Sequence, residues 1–375
     1  MTHSALGAER HRRPRIAVAL LMVLGLAVAG GPIEASGTMA PQPLLIARVP
    51  GTATLYVVGS VTCPQNLCLR LYRTTVAATA FTQLTLPPVA PASGSVTGTL
   101  DHLVFASPTV GYALLDATGT PKLYATFDGA RTWRRWKLTT PGIVESIAAT
   151  PRTLYLEVAF CAVTVPYCDH FRVARSPLTA DHWTSTAIPD SATSAQGSIF
   201  GPLAAHGDEV WVTETGSRAY LARSLDAGHH FTLLPAPQLL SVTGCTLSAD
   251  SATSLWAQCP TGLQESFWFS ANAARSWTYV VTPRPVFGTG GGFFDPVSAS
   301  LAYLAGGSSF DTLLRVTNGA RDVTAAGRLV CPSLLGLRFT DLDHGLAVCT
   351  AYTLSYLEVT ADGGATWRRV AIALS

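Results

Sequence analysis

Few side chains in this sequence are spaced for chemistry. Its nine histidines show neither HxxxH nor HExxH spacing, so no helix face would offer two imidazoles to a metal. No GxSxG elbow, P-loop or strand-borne GxGxxG is present, and the glycines of GTGGGFF, from Gly288, read as a loop ahead of a strand. Two tyrosine–glutamate pairs, Tyr155/Glu157 and Tyr356/Glu358, lie two residues apart on one strand face, which is the spacing of ordinary strand decoration. The eight cysteines fall into near neighbours: Cys63/Cys68, Cys161/Cys168, Cys245/Cys259 and Cys331/Cys349. These spacings do not supply the close CxxC or Cys/His pairs of a zinc site, so disulfides are expected and no metal or cofactor. The acidic residue in the most distinctive phrase is Asp362, in TADGGATW from Thr360 to Trp367. Whether it is catalytic depends on the element that carries it.

That element repeats. TFDGARTW occurs at Thr126–Trp133, SLDAGHHF at Ser224–Phe231, SANAARSW at Ser270–Trp277 and the shorter TNGARDV at Thr317–Val323. Fainter copies begin at Thr74 and Ser176. The seven starts lie 43 to 52 residues apart, a period that marks a propeller or solenoid. A second phrase recurs upstream: FASPTVGYAL at Phe105, FDPVSASLAYL at Phe294 and FTDLDHGLAV at Phe339. Between the turns the chain reads as short β segments such as KLYAT, TLYLEVAF and EVWVTE, and no stretch after the first 40 residues sustains a helical apolar period. Four strands fit each period. The expected fold is all-β, a seven-bladed β-propeller of four-stranded antiparallel blades over residues 43–375, with six or eight blades as alternatives.

Residues 1–29 read as a secretory signal peptide: Arg10, Arg12, Arg13 and Arg15 precede an apolar run from Ile16 to Ala29, and Ala27-Val28-Ala29 fits a cleavage site. Residues 30–42 would be a short linker. An uncleaved anchor is the alternative. Removing the leader takes four arginines and one glutamate, so the formal charge of +2 falls to about −1. Nucleic acid is therefore a poor partner. The chain is expected outside the cytoplasm, secreted or at the cell surface, as a monomer with no membrane span after cleavage.

The phrase Ser/Thr-x-Asp-x-Gly-x-Thr-Trp resembles the Asp-box, or BNR, repeat of sialidases, sortilin-type receptors and photosystem II assembly factors. The resemblance implies turns at the blade periphery, joining third and fourth strands. Asp128, Asp226 and Asp362 would then hold their own turns through backbone N–H groups, glycine would supply positive φ, and Trp133, Phe231, Trp277 and Trp367 would pack between sheets. It also implies, for the sialidase branch, an arginine triad, a tyrosine nucleophile with a glutamate, and an acid/base aspartate.

Ala47-Arg48-Val49-Pro50 matches three of four positions of that branch's opening motif, yet no Asp or Glu occurs between Val49 and Leu100 to serve as the acid/base. The other places to look are polar residues near first strands, which line a propeller's channel: Glu145, Asp295, Arg338 and Asp341. With Arg48 these are the candidate binding residues. The expected function is a non-catalytic scaffold that recognises a protein or glycan on one face; a sialidase-type glycoside hydrolase is the alternative. Each cysteine pair falls within one repeat, so Cys63–Cys68, Cys161–Cys168, Cys245–Cys259 and Cys331–Cys349 are the expected links, the longer two bridging neighbouring antiparallel strands.

Overall fold

A computed structural model describes residues 42–62, 67–75, 80–88, 100–115, 121–139, 142–161, 168–189, 199–200, 203–215, 220–234, 245–261, 264–282, 293–306, 312–351 and 354–372. All lie in the compact unit Met39–Ser375. The expected signal peptide lies outside the described residues, as does Cys63.

The strands form seven antiparallel sheets, each from one continuous piece of chain. Blade 1 comprises β1 (Gln42–Arg48), β2 (Thr54–Thr62), β3 (Leu67–Thr75) and β4 (Thr82–Leu84). Blade 2 holds β5 (His102–Phe105), β6 (Gly111–Leu115), β7 (Lys122–Thr126) and β8 (Arg134–Trp136). Blade 3 holds β9 (Ile143–Ala149), β10 (Thr153–Cys161), β11 (Cys168–Pro177) and β12 (Thr184–Ala187). In blade 4 the first strand is split into β13 (Ile199–Phe200) and β14 (Ala204–His206), followed by β15 (Glu209–Thr215), β16 (Tyr220–Ser224) and β17 (Thr232–Leu234). Blade 5 is β18 (Thr246–Ala249), β19 (Leu255–Thr261), β20 (Gln264–Ser270) and β21 (Thr278–Tyr279). Blade 6 is β22 (Phe293–Ser298), β23 (Leu301–Gly306), β24 (Thr312–Thr317) and β25 (Asp322–Gly327). Blade 7 is β26 (Ser333–Phe339), β27 (Gly345–Ala351), β28 (Leu354–Thr360) and β29 (Arg368–Val370). First strands adjoin from blade 1 to blade 5 and from blade 6 to blade 7, blades 5 and 6 share an apolar cluster, and β26 meets β1, so the seven blades close into a ring.

Second strands are covered on both faces by neighbouring sheets. Gly111–Leu115 and Leu301–Gly306 are buried along their whole length, which explains their unbroken apolar character where a half-exposed strand would alternate. Each of the seven apolar clusters combines residues of two adjacent blades.

One position in these strands sets the junctions. Tyr56, Tyr112, Tyr155, Trp211, Trp256 and Tyr303 are fully buried and occupy the corresponding place in blades 1 to 6. Burial obliges a phenol or indole to find a partner. Tyr56 donates to Pro108 O at 3.0 Å, Tyr112 to Leu178 O at 3.1 Å and Trp256 to Ser298 O at 3.1 Å, each across to the next blade. Tyr303 likewise donates to Leu342 O. In blades 3 and 4 the arginine opposite the ring reaches across instead: Arg175 to Gly228 O, and Arg223 to Ala273 O at 3.1 Å. The upstream phrase supplies the other half of two junctions. Phe105 stacks on Tyr56 at 3.7 Å and Phe339 on Tyr303 at 3.5 Å between centroids.

The repeated turn phrase joins third to fourth strands, and one hydrogen-bond network recurs in blades 2, 4, 5 and 7. In blade 7, Thr360 Oγ1 donates to Asp362 Oδ1 (2.8 Å) and accepts from Gly364 N (2.9 Å), while Thr366 N donates to Asp362 Oδ1 (2.9 Å). Thr126/Asp128, Ser224/Asp226 and Ser270/Asn272 repeat it. The fourth residue's amide donates back to the turn between first and second strands: Gly129 to Thr109 O, Ala227 to Asp208 O, Ala273 to Thr253 O and Gly363 to Asp343 O.

In blade 7 the turn takes positive φ at Gly363 and Gly364, as expected, and the other copies add to this. It takes two successive residues at positive φ, and alanine occupies that region at Ala130, Ala227, Ala273 and Ala274 (φ 55 to 68°). Glycine is therefore favoured without being required; the left-handed conformation costs an alanine about 1–2 kcal/mol, which the turn's hydrogen bonds offset. The rings of Trp133, Trp277 and Trp367 are half-buried and pack against the apolar clusters that adjacent blades share. Trp133 and Trp183 use their indole N–H on the preceding blade, at Thr85 O and Lys137 O (both 2.7 Å). Phe231 is buried.

Cys245–Cys259 and Cys331–Cys349 are disulfides, each tying the residues that lead into a blade's first strand to its second strand, with Cα atoms 4.2 and 5.4 Å apart. Cys161 and Cys168 face each other in the β10–β11 register. Cys68 is disulfide-bonded.

These turns predict a substitution pattern. Threonine hydroxyl and amide donors hold the Asp128 and Asp362 carboxyls down to about 2. A depressed carboxyl stabilises the fold above its unfolded value and loses that contribution as pH falls from about 4 towards 2. In blade 5, Asn272 does the same work, donating to Ser276 Oγ at 2.8 Å. Asp362→Asn should therefore stay within about 0.5 kcal/mol of wild type, whereas Asp362→Ala should lose about 2 kcal/mol by denaturant unfolding.

Candidate functional site

The candidates are placed by the ends of first strands. Arg48 closes β1, Arg338 and Phe339 close β26, and Asp295 lies in β22. The structure brings Arg48, Asp295 and Arg338 together and leaves Glu145 and Asp341 apart.

Arg48 donates from Nη1 to Phe339 O at 2.8 Å and from Nη2 to Pro296 O at 2.7 Å. Asp295 is buried, with its Oδ1 3.6 Å from Arg338 Nη1 and its Oδ2 accepting from the Phe339 amide. Burial raises the Asp295 carboxyl above its usual range, while Arg48 and Arg338 oppose that. Two cations and an amide are what make a carboxylate tolerable there, because a buried charge must be paired and hydrogen-bonded.

A fourth member escaped the sequence reading. Asp250 follows β18, and burial pushes its carboxyl up to about 6; Arg48 opposes the rise, Asp295 adds to it, and the Trp256 indole counters it. Its Oδ2 is buried and makes no hydrogen bond. The signal available was positional: Asp250 stands just past a first strand, as Arg48 stands at the end of one.

The remaining candidates have local roles. Asp341 accepts from the amides of Asp343 and His344, both at 2.8 Å, and from His344 Nδ1 at 2.9 Å, so it shapes the turn between β26 and β27. These bonds outweigh its burial and lower its pKa. Glu145 sits near the start of β9, where burial raises its carboxyl, and its main chain contacts His102 of blade 2. Tyr155 and Glu157 are both buried on β10, and Glu157 accepts from Ser146 Oγ at 3.0 Å. Tyr356 lies on β28 beneath the Arg369 guanidinium, 3.5 Å from the ring centroid. Neither tyrosine–glutamate pair adjoins the Arg48 cluster. Among the described residues no group of three or more His, Cys, Asp or Glu side chains could hold a metal ion.

Chemically, the cluster is a set of two carboxyls and two guanidinium groups drawn from blades 1, 5, 6 and 7, with Arg48 at its centre. Asp250 titrates above its unfolded value near 3.9, so the folded chain binds that proton more tightly. The stability it contributes is present below pH 4 and is lost as pH rises through about 6. Asp250→Asn should flatten this fall and raise the melting temperature at pH 7.5 by about 2–4 °C, with little change at pH 4. A lower melting temperature at pH 7.5 would show that attraction to Arg48 outweighs the cost of burial.

No family model and no curated protein matches the chain. Solved structures match its fold. YCF48 from Cyanidioschyzon merolae is 15% identical, with 76% of this chain and 86% of that one covered and a TM-score of 0.51. The β-propeller domain of the Trilobed protease from Pyrococcus furiosus, described as having an open velcro topology, is 7% identical over 88% of this chain and 97% of that one (TM-score 0.57). Pyrococcus horikoshii acylaminoacyl peptidase is 8% identical over 89% of this chain, which spans 53% of that chain (TM-score 0.56). At these identities the likeness is one of fold: the chain is a seven-bladed β-propeller.

Proposed function

We propose that the mature chain is an exported, non-catalytic propeller that binds a protein or glycan on one face of the ring, and that its repeated turns are Asp-boxes. The turn reading is supported by the shared network of Thr or Ser with Asp in blades 2, 4 and 7 and with Asn in blade 5, and export by the disulfides, which persist in oxidising compartments. One observation carries the choice of binding over hydrolysis. Arg48, whose motif was the most enzyme-like phrase, spends both terminal nitrogens on main-chain carbonyls. A substrate carboxylate would need those same donors, arranged with two further arginines. Among the described residues Arg338 alone stands with it, and Arg338 faces a buried aspartate.

Purified mature protein should release no product from a fluorogenic sialoside or a panel of nitrophenyl glycosides, while showing saturable binding on a glycan array or to one extracytoplasmic protein identified by photo-crosslinking. Turnover that copurifies with the protein would overturn this reading.

A further inference from the structure

The ring has one junction unlike the other six. Successive blades are joined by peptide links, but among the described residues blade 7 meets blade 1 through side chains and main-chain contacts alone, because each blade is built from consecutive strands. Among the described residues nothing covalent crosses this seam.

The aromatic device used elsewhere is missing at the same place. In blades 1 to 6 the position after Leu55, Gly111, Leu154, Val210, Leu255 and Ala302 carries the buried tyrosine or tryptophan; in blade 7 it carries Leu346. The receiving position changes with it. Phe105 pairs with Gly111, and Phe339 with Gly345, each beside the junction position of its own blade, and each ring stacks on the preceding blade's tyrosine. By register, the counterpart in blade 1 is Arg48, paired with Leu55. The seam therefore has leucine and arginine where the junctions between blades 1 and 2 and between blades 6 and 7 have tyrosine and phenylalanine. Leu346 contributes apolar packing with Ile46, Leu55 and Val57 but no polar tip. Arg48 supplies the directional contact, running the other way: from blade 1 onto Phe339 O of blade 7 and past it to Pro296 O of blade 6.

We propose that Arg48 is the clasp of this seam, and that the ring opens between blades 7 and 1 when the clasp is released. Holding two blades at once gives one side chain leverage over the only junction that can part without breaking the chain. Asp295 and Arg338 bear on the clasp as well: Asp295 anchors the Phe339 amide beside the carbonyl that Arg48 grips, and Arg338 pairs with Asp295.

Hydrogen exchange on the intact mature protein tests this. Arg48→Met keeps the aliphatic stem and removes the donors. It should raise amide exchange in β1, β2, β27 and β28 about tenfold and leave the β10–β11 hairpin of blade 3 unchanged. Equal acceleration in all seven blades, or none at the seam, would overturn the proposal. The double variant Arg48→Phe/Leu346→Tyr rebuilds the aromatic pair of the junctions between blades 1 and 2 and between blades 6 and 7, and should return seam exchange to within about threefold of wild type. If that pair folds and leaves the seam as labile as Arg48→Met, directional contact at this position is not what holds the ring, and the proposal fails.

Discussion

Everything in this ring depends on a second strand that has no solvent face. A strand sandwiched between two sheets must be apolar throughout, and any polar tip it carries must be satisfied by the neighbouring blade. Tyr56, Tyr303 and Trp256 meet that demand with hydrogen bonds to main-chain oxygens one blade along. Truncating a fully buried aromatic costs about 3–5 kcal/mol, and a stacked partner adds about 0.5–1.5 kcal/mol. Those magnitudes exceed what a surface salt bridge supplies, so junction geometry is set by aromatic packing and its few directed bonds.

The carbonyls that receive those bonds have to be held still, and the turn phrase does this. In blade 7 the Gly363 amide donates to Asp343 O, tying the outer hairpin to the inner turn whose Leu342 O accepts from Tyr303. In blade 2 the Gly129 amide fixes Thr109 O in the same way, next to Pro108 O and the Tyr56 hydroxyl. Arg175 and Arg223 go further and donate to phrase carbonyls directly. The aspartate at the centre of the phrase organises its own backbone, which in turn presents oxygens to the blade before it. The acidic residue of TADGGATW is therefore part of a junction, one step removed.

Much of this was legible because it repeats. Seven turn starts at even spacing and strand-rich intervals were enough for blade number, and cysteine spacing within repeats was enough for two of the links. The upstream phrase was visible too, but its meaning was not: Phe105 and Tyr112 sit in one hairpin, yet Phe105 stacks on Tyr56 of the previous blade, a partner that no local pattern names. Alanine at positive φ was hidden for a different reason: the bonds that offset its strain come from the phrase's own hydroxyls at Ala130 and Ala274, and from the turn between first and second strands at Ala227 and Ala273, and the spelling of the phrase names neither. Asp250 went unseen because its shift arises from burial beside Arg48 and Asp295, which the fold alone assembles. Sequence pattern reports periodic packing well and the choice of main-chain partners poorly.

The Arg48 cluster sets a motif match against the bonds its arginine already makes. A guanidinium can hold a ligand carboxylate or two carbonyls of its own protein, and the same two nitrogens cannot serve both. To bind a ligand there, Phe339 O and Pro296 O would have to be released, and each buried acceptor left unmatched costs about 1–3 kcal/mol. The Phe339 amide and Asp295 would lose their alignment with the carbonyls beside them, and Asp295 would keep only Arg338 against a large desolvation cost. Ligand binding at Arg48 and an intact ring are thus opposed in free energy. At the junctions between blades 1 and 2 and between blades 6 and 7 a stacked phenylalanine stands at the position that Arg48 occupies at the seam. At the seam the facing position is Leu346, which packs but makes no directed bond.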